Sequence, residues 1–213
     1  MTSSTEASTS PASEAAQPTE DRLEHLAATL RSNNIEAFVV ETGDAAREAV
    51  LAMIPEGAEV HSGKSKTIEQ VGLYAALMES GRYDAIRPKL FAMDRATQGR
   101  EMRKLGAAPD VEVGSVAAVT ETGTLVAASA TGSQLGPYAA GAGRLILIVG
   151  SQKVVPDLAA ALERIDATVF PYENEQVRAR LGTDTRLEKV LLIHGEWTPG
   201  RTTVVLVREP VGI

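Results

Sequence analysis

The sequence of 213 residues contains no cysteine. Disulfides are therefore excluded, and so are iron–sulfur clusters or thiolate zinc sites held by this chain alone. The expectation is no cofactor in this chain, with any redox centre carried by a partner, and a reducing cytoplasm as the setting. No apolar run approaches the ~20 residues needed to cross a bilayer, so no membrane segment is expected. Positive charge is short overall: 21 Lys and Arg against 28 Asp and Glu give a net charge of −7. That balance argues against a general nucleic-acid binder, which presents a basic face.

Several catalytic signatures are also missing. Gly63-Lys64-Ser65 matches the end of a nucleotide P-loop, but the first glycine of that motif would fall at Ala58. The nearest glycine, Gly57, is one position out and precedes the strand expected there, so the loop is too short to wrap a β-phosphate. Gly141-Ala142-Gly143 precedes an apolar run where a dinucleotide fingerprint would follow one. No G-x-S-x-G elbow surrounds Ser62, and His25, His61 and His194 form no close-spaced metal motif.

What is present is ordinary for one globular domain: 44% apolar and 23% charged residues. Residues 1–20 are rich in Ser, Thr, Ala, Pro and Glu without Lys or Arg. Such a segment lacks the apolar surface to offset chain entropy and reads as a disordered tail ahead of a domain over 21–213. Segment 61–104 runs against the overall charge, with nine basic and five acidic residues. It reads either as a solvated helix face or as a positive wall around a small anion.

Helical and strand patterns then alternate. Leu23, Leu26 and Leu30 predict a helix, 35–41 a strand, 44–54 a helix capped by Asp44, and 58–61 a strand. Thr67 followed three residues later by Gln70 matches a capping box and predicts one helix to about Ser80. A short strand is expected at 85–86 and a helix over 95–105. Residues 116–120 and 124–129 predict a β-hairpin around Glu121-Thr122-Gly123. Arg144 to Val149 is a continuous apolar run, expected as a central strand covered on both faces. A helix opens at Pro156, and strands at 189–193 and 202–207 close the chain around a Pro199-Gly200 turn. The order implies an α/β fold, a mostly parallel sheet flanked by helices.

Three stretches could carry chemistry. His61-Ser62-Gly63-Lys64-Ser65-Lys66-Thr67 joins a strand end to a helix start, where free amides and the helix dipole favour an anion. There Gly63 permits close approach, Ser62, Ser65 and Thr67 offer hydroxyls, and Lys64 a charge; a capped helix behind an ordinary loop is the plainer alternative. Glu121-Thr122-Gly123-Thr124 offers a carboxylate at a tight turn, either solvated or a general base or nucleophile. Gly150-Ser151-Gln152-Lys153 follows the central strand, where parallel sheets gather ligands. The candidates are thus Glu121 and Glu69 for proton transfer. For ligand binding they are His61, Ser62, Gly63, Lys64, Ser65, Thr67, Thr122, Gly123, Thr124, Gly150 and Ser151. Trp197, the lone tryptophan, reads as a packing or oligomer-contact residue.

Taken in order, Ser62-Gly63-Lys64-Ser65-Lys66-Thr67-Ile68-Glu69-Gln70-Val71-Gly72-Leu73 and Ala117-Ala118-Val119-Thr120-Glu121-Thr122-Gly123-Thr124-Leu125-Val126, with His194-Gly195 near the C-terminus, resemble the LUD-domain family (LutC/YkgG-like lactate-utilization proteins). The resemblance covers about residues 21–210. Residues 136–144 and 181–186 depart from the family's common pattern. The resemblance implies a NagB/RpiA/CoA-transferase-like fold and a role as accessory component in oxidation of L-lactate to pyruvate. It also implies a small anionic ligand, and partner subunits that hold iron–sulfur centres. Two alternatives stand beside it. One is a stand-alone enzyme acting on an acyl-CoA or sugar phosphate, with Glu121 the acylated carboxylate. The other is a non-catalytic scaffold acting through a homo-oligomer or complex.

Overall fold

The computed structural model describes residues 19–213, with side chains from Arg22 onward. The expected tail therefore lies outside the described residues, apart from Thr19 and Glu20, which open the first helix.

In chain order the elements are α1 (Thr19–Ser32), β1 (Glu36–Val40), α2 (Gly43–Met53), β2 (Glu59–His61), α3 (Lys66–Gln70), α4 (Leu73–Met78) and β3 (Asp84–Ala85). They continue with α5 (Ile86–Ala92), α6 (Gly99–Ala107), β4 (Val111–Gly114), β5 (Ala118–Thr120), β6 (Leu125–Ser129) and β7 (Arg144–Gly150). The last are β8 (Val154–Val155), α7 (Leu158–Arg164), α8 (Phe170–Leu181), β9 (Lys189–Ile193) and β10 (Thr202–Val207). A π-helical turn covers Pro137–Gly141, a 3-10 turn Ser151–Lys153, and a second π-helical turn Ile165–Val169 joins α7 to α8.

Six strands form a sheet in the order β1-β10-β7-β4-β2-β3. Every pairing in it is parallel. Four more form a second sheet, β8-β5-β6-β9, with β5 and β6 the antiparallel hairpin read from the sequence. The α/β architecture, a mostly parallel sheet flanked by helices, is as the alternating patterns predict.

The unbroken apolar run of β7 has a direct explanation. Leu145, Leu147 and Val149 face a core shared with α1 and the second sheet, where Leu23, Leu26, Leu30, Val119 and Leu125 are buried. Ile146 and Ile148 face the opposite core, with Ala46, Val50, Ile68, Leu73 and Leu77 of α2, α3 and α4. β10 divides the same way, Val204 and Leu206 to one side and Val205 and Val207 to the other. A strand buried on both faces has no polar alternation to show.

Three expectations are corrected. The single helix from Thr67 to Ser80 is two short ones, because Gly72 takes a left-handed conformation, φ 73°, between α3 and α4. The first of these is capped by Ser65, whose hydroxyl accepts from the Ile68 amide at 3.5 Å, so Thr67 is not the cap. Likewise α2 is capped by Thr42, which accepts from Ala45 N at 3.2 Å, while Asp44 sits in the first turn. The last two strands are joined through Pro199-Gly200 as expected but enter different sheets: β9 edges the second and β10 lies between β1 and β7 in the first. Three boundaries also shift: Ile86 opens α5 instead of closing a strand, α6 begins at Gly99, and α7 begins at Leu158 behind the Asp157 cap, whose side chain accepts from Ala160 N.

The sequence reading missed β4, because Glu112 interrupts an otherwise short apolar run, and α5 and α8, whose apolar positions are sparse. β4 lies between β2 and β7, so the loops after those two strands share one sheet edge without being direct neighbours. At its end, a Cβ on Gly114 would occupy the position of the Tyr138 phenol. Gly114→Ala is expected to force out that buried ring and destabilise the protein by about 1–3 kcal/mol, the usual range for overpacking. A urea midpoint equal to wild type would show that Tyr138 has room to move.

Candidate functional site

All strands of the main sheet are parallel, so their carboxyl ends and the loops that leave them crowd one edge. That edge carries a connected set of buried polar groups. His61 ends β2 and is 7% exposed; Glu112 in β4 is fully buried. The His61 ring Nδ1 and Glu112 Oε2 lie 2.7 Å apart, and Glu112 Oε1 is buried without a partner. Burial pushes the Glu112 carboxyl above its ordinary value, while His61, the Gly63 amide and the Arg87 charge pull it back. Arg87 reaches the same corner from α5 and donates to the Ser62 carbonyl at 2.9 Å. Its guanidinium stands 5.2 Å from the Phe91 ring centre and 5.9 Å from that of Tyr74.

The second half of the set centres on Lys153, which ends the turn after β7 and is 3% exposed. Its Nζ donates to Thr67 Oγ1 at 2.8 Å, Ser115 Oγ at 2.9 Å and the Val116 carbonyl at 3.3 Å. Those acceptors are two hydroxyls and a carbonyl, all neutral. Burial, with the nearby Arg164 charge, lowers the lysine to about 7. An amine in that state divides between ammonium and free base near neutrality, so it can bind an anion or accept a proton.

Ser115 joins the halves. Its hydroxyl donates to the Ile148 carbonyl at 2.6 Å, its amide donates to the Tyr138 hydroxyl at 3.1 Å, and that hydroxyl donates to the Ser115 carbonyl at 3.0 Å. Tyr138 is held un-ionised, first by burial and then by the negative charge of Glu112.

The edge is covered by residues 209–213, which follow β10. Gly150 owes its lack of a side chain to them: a Cβ there would lie 2.5 Å from the Val211 carbonyl oxygen and 2.6 Å from its amide nitrogen. A shallow depression of about 240 Å³ lies at the opposite end of the sheet, lined by Arg31, Asn34, Ile35, Glu36, Pro199 and Gly200.

Against this geometry the sequence candidates separate into groups. His61, Ser62 and Thr67 are buried at the edge, and Gly150 and Ser151 lie beside them on the turn leading to Lys153. Gly63 is close-packed, a Cβ there meeting Gln134 Oε1 at 3.1 Å. Ser65 is the helix cap, and Lys64 and Glu69 are exposed. Glu121, Thr122, Gly123 and Thr124 form the hairpin tip between β5 and β6. Glu121 follows β5 directly, and its amide donates to the Val155 carbonyl at 2.9 Å, two residues beyond Lys153.

At that tip Glu121 is half-exposed and paired with Arg22 at 2.8 Å. The Thr122 carbonyl accepts from Asn33, and Thr124 Oγ1 lies 3.0 Å from His194 Nδ1. His61 and His194 have separate partners, Glu112 and Thr124, and among the described residues no three metal-ligating side chains gather.

Glu112, Ser115, Tyr138 and Arg164 were not legible as site residues. Lys153 stood in a flagged stretch, and a lysine three residues past a fully apolar strand was the available signal.

Fold and site together define an α/β protein whose polar centre, around a buried lysine, lies at the carboxyl edge of a parallel sheet. The LUD domain family model matches residues 23–207, and the chain belongs to that family, which is associated with lactate utilization. Among solved structures it is similar to a DUF162 family protein from Deinococcus radiodurans, at 15% identity and TM-score 0.52, covering 90% of this chain and 99% of that one. Two ribose 5-phosphate isomerases are more remote. The one from Plasmodium falciparum has 11% identity and TM-score 0.38, covering 80% of this chain and 95% of that one. The isomerase A from Neisseria gonorrhoeae has 12% identity and TM-score 0.35, covering 73% and 76%. A search of curated proteins finds no match to this chain. Among the described residues no helix is long and apolar enough to cross a membrane.

Proposed function

We propose that this chain is a LutC-like accessory component in the oxidation of L-lactate to pyruvate. In this reading it binds a small carboxylate at the sheet edge between the 62–69 loop and the 151–153 turn. Partner subunits hold the iron–sulfur centres, since a chain without cysteine offers no thiolates for them. The observation that carries the reading is Lys153: a buried cation whose three partners are neutral oxygens. A buried charge without a counter-charge is unfavourable, and a bound anion relieves it. Lys153 rather than the exposed Lys64 is the cation of this site, with Thr67 and Ser115 orienting it.

The acyl-transfer alternative is less well supported, because the Glu121 carboxylate is exposed and already paired with the Arg22 guanidinium at 2.8 Å.

The test is growth on L-lactate of a deletion strain carrying either the wild-type gene or Lys153→Met. Wild type should restore growth and lactate oxidation; Lys153→Met, at equal protein level, should restore less than a tenth of the oxidation rate. Full rescue by the methionine variant would remove the lysine from the mechanism. Undiminished growth of the deletion strain itself would remove the lactate role.

A further inference from the structure

Residues 209–213 are held over the buried lysine by contacts from four different elements. Glu209 Oε2 accepts from the Gly43 amide of α2 at 2.8 Å. The Val211 carbonyl accepts from Gln152 Nε2 at 3.0 Å, and the Gly212 amide donates to Gln70 Oε1 at 2.9 Å. The Ile213 main-chain oxygen accepts from Arg164 Nη2 at 2.6 Å. Gly212 has φ +92°, and a Cβ there would run into Thr67 Oγ1 and stand 2.9 Å from Lys153 Nζ. Its backbone thus rests directly on the lysine.

Arg164 is the other cation at this spot. Its remaining partners are the Ala117 carbonyl at 2.8 Å and the Gln152 carbonyl at 3.4 Å. The two side chains repel each other electrostatically. Lys153 is held by two hydroxyls and a main-chain oxygen and Arg164 by three main-chain oxygens, that of Ile213 included, with no acidic side chain among these partners. Both side chains end against this segment, Lys153 beneath Gly212 and Arg164 on the Ile213 oxygen, and that arrangement has the form of an anion seat filled by a stand-in.

We propose that the space now occupied by Gly212 and Ile213 is the seat of a small carboxylate, and that residues 209–213 are a displaceable plug over it. Arg164 takes the carboxylate in place of the Ile213 oxygen, and Lys153 takes a neighbouring oxygen of the same ligand. This rests on the carboxylate-binding reading above and adds to it the second cation and the segment that must leave.

Two measurements on the full chain test it, with L-lactate as probe and sodium chloride of equal ionic strength as control. The first is hydrogen exchange of the wild-type protein. The Val211 amide donates to Glu209 O and the Gly212 amide to Gln70, so L-lactate should speed exchange in 209–213 at least fivefold. Unchanged exchange overturns the plug.

The second is reductive methylation with formaldehyde and cyanoborohydride, read at Lys153 by peptide mass spectrometry with the exposed Lys64 as internal standard. Gly212→Ala should lift the plug and raise the Lys153 rate at least tenfold. L-lactate should slow it at least threefold in that variant, and not in Gly212→Ala/Arg164→Gln. Equal rates in wild type and Gly212→Ala, or protection that survives loss of Arg164, overturn the seat. These readouts are separate from growth. Protection of Lys153 in a protein dispensable for growth on L-lactate would leave the seat standing and remove the metabolic role. Growth lost with Lys153→Met but exchange unmoved by L-lactate would do the reverse.

Discussion

Between pH 7 and pH 10.5 the wild-type protein is expected to gain stability that a Lys153→Met variant does not gain. The lysine titrates at about 7 when folded and at 10.5 in the ordinary state of the side chain. In that window the unfolded chain holds a proton on Lys153 that the folded chain does not, so raising the pH favours folding. The stabilisation is complete above the unfolded value and is lost as pH falls through the folded one. The slope is on the order of 1.4 kcal/mol per pH unit, the free energy of one proton over one unit.

Arg164 is the charged neighbour that acts on the lysine, and burial lowers its own pKa from the ordinary arginine value. Subtracting the methionine variant cancels titrations common to both proteins. The measurement is urea unfolding at half-unit intervals from pH 6.5 to 9.5. Parallel curves for the two proteins would mean that Lys153 is solvated and charged throughout, and the buried-cation argument would fall with it.

The second large effect is expected at the His61–Glu112 pair. Replacing His61 with leucine leaves a fully buried carboxylate with neither oxygen hydrogen-bonded to a side chain. Removing one member of a buried pair commonly costs about 3–5 kcal/mol. The double change His61→Leu/Glu112→Leu should cost less than His61→Leu alone, since it removes the stranded charge as well as its partner.

The loss in the single variant should also grow with pH. A carboxyl whose folded pKa is raised is most favourable to folding below its unfolded value of 4.5 and loses that advantage as pH rises through the folded one. Without His61 the carboxyl rises further and the loss extends to higher pH. Urea unfolding of wild type, both single variants and the double variant at pH 5 and pH 8 decides the matter. Additive single costs would show that the two residues are not coupled.

How much of this was open to inspection beforehand differs by kind of feature. Strands β1, β2, β5, β6, β7, β9 and β10 were visible because β-branched and apolar residues cluster there between turn residues. The 62–67 loop was visible because glycine, serine and lysine together join a strand to a helix. β4 was hidden: a strand that carries a glutamate between two valines gives no periodic signal, and that glutamate proved to be a member of the buried cluster. Lys64 was the cation the sequence pointed to, and Lys153 closed the stretch after the central strand without being singled out. The first stands in solvent at a short helix, and the second is folded under the tail.

By itself the sequence determined the family, the α/β class and the absence of thiolate chemistry, because motif order, hydrophobic run length and a missing residue type are one-dimensional properties. Only the tertiary structure decided which polar residues share an environment. His61, Thr67, Glu112, Ser115, Lys153, Arg164 and Gly212 are scattered over 152 positions of the chain and meet only because parallel strands deliver their ends to one edge. The property that matters most there, a lysine near neutrality, comes from the water excluded by that meeting, and exclusion of water is decided by packing across the whole domain.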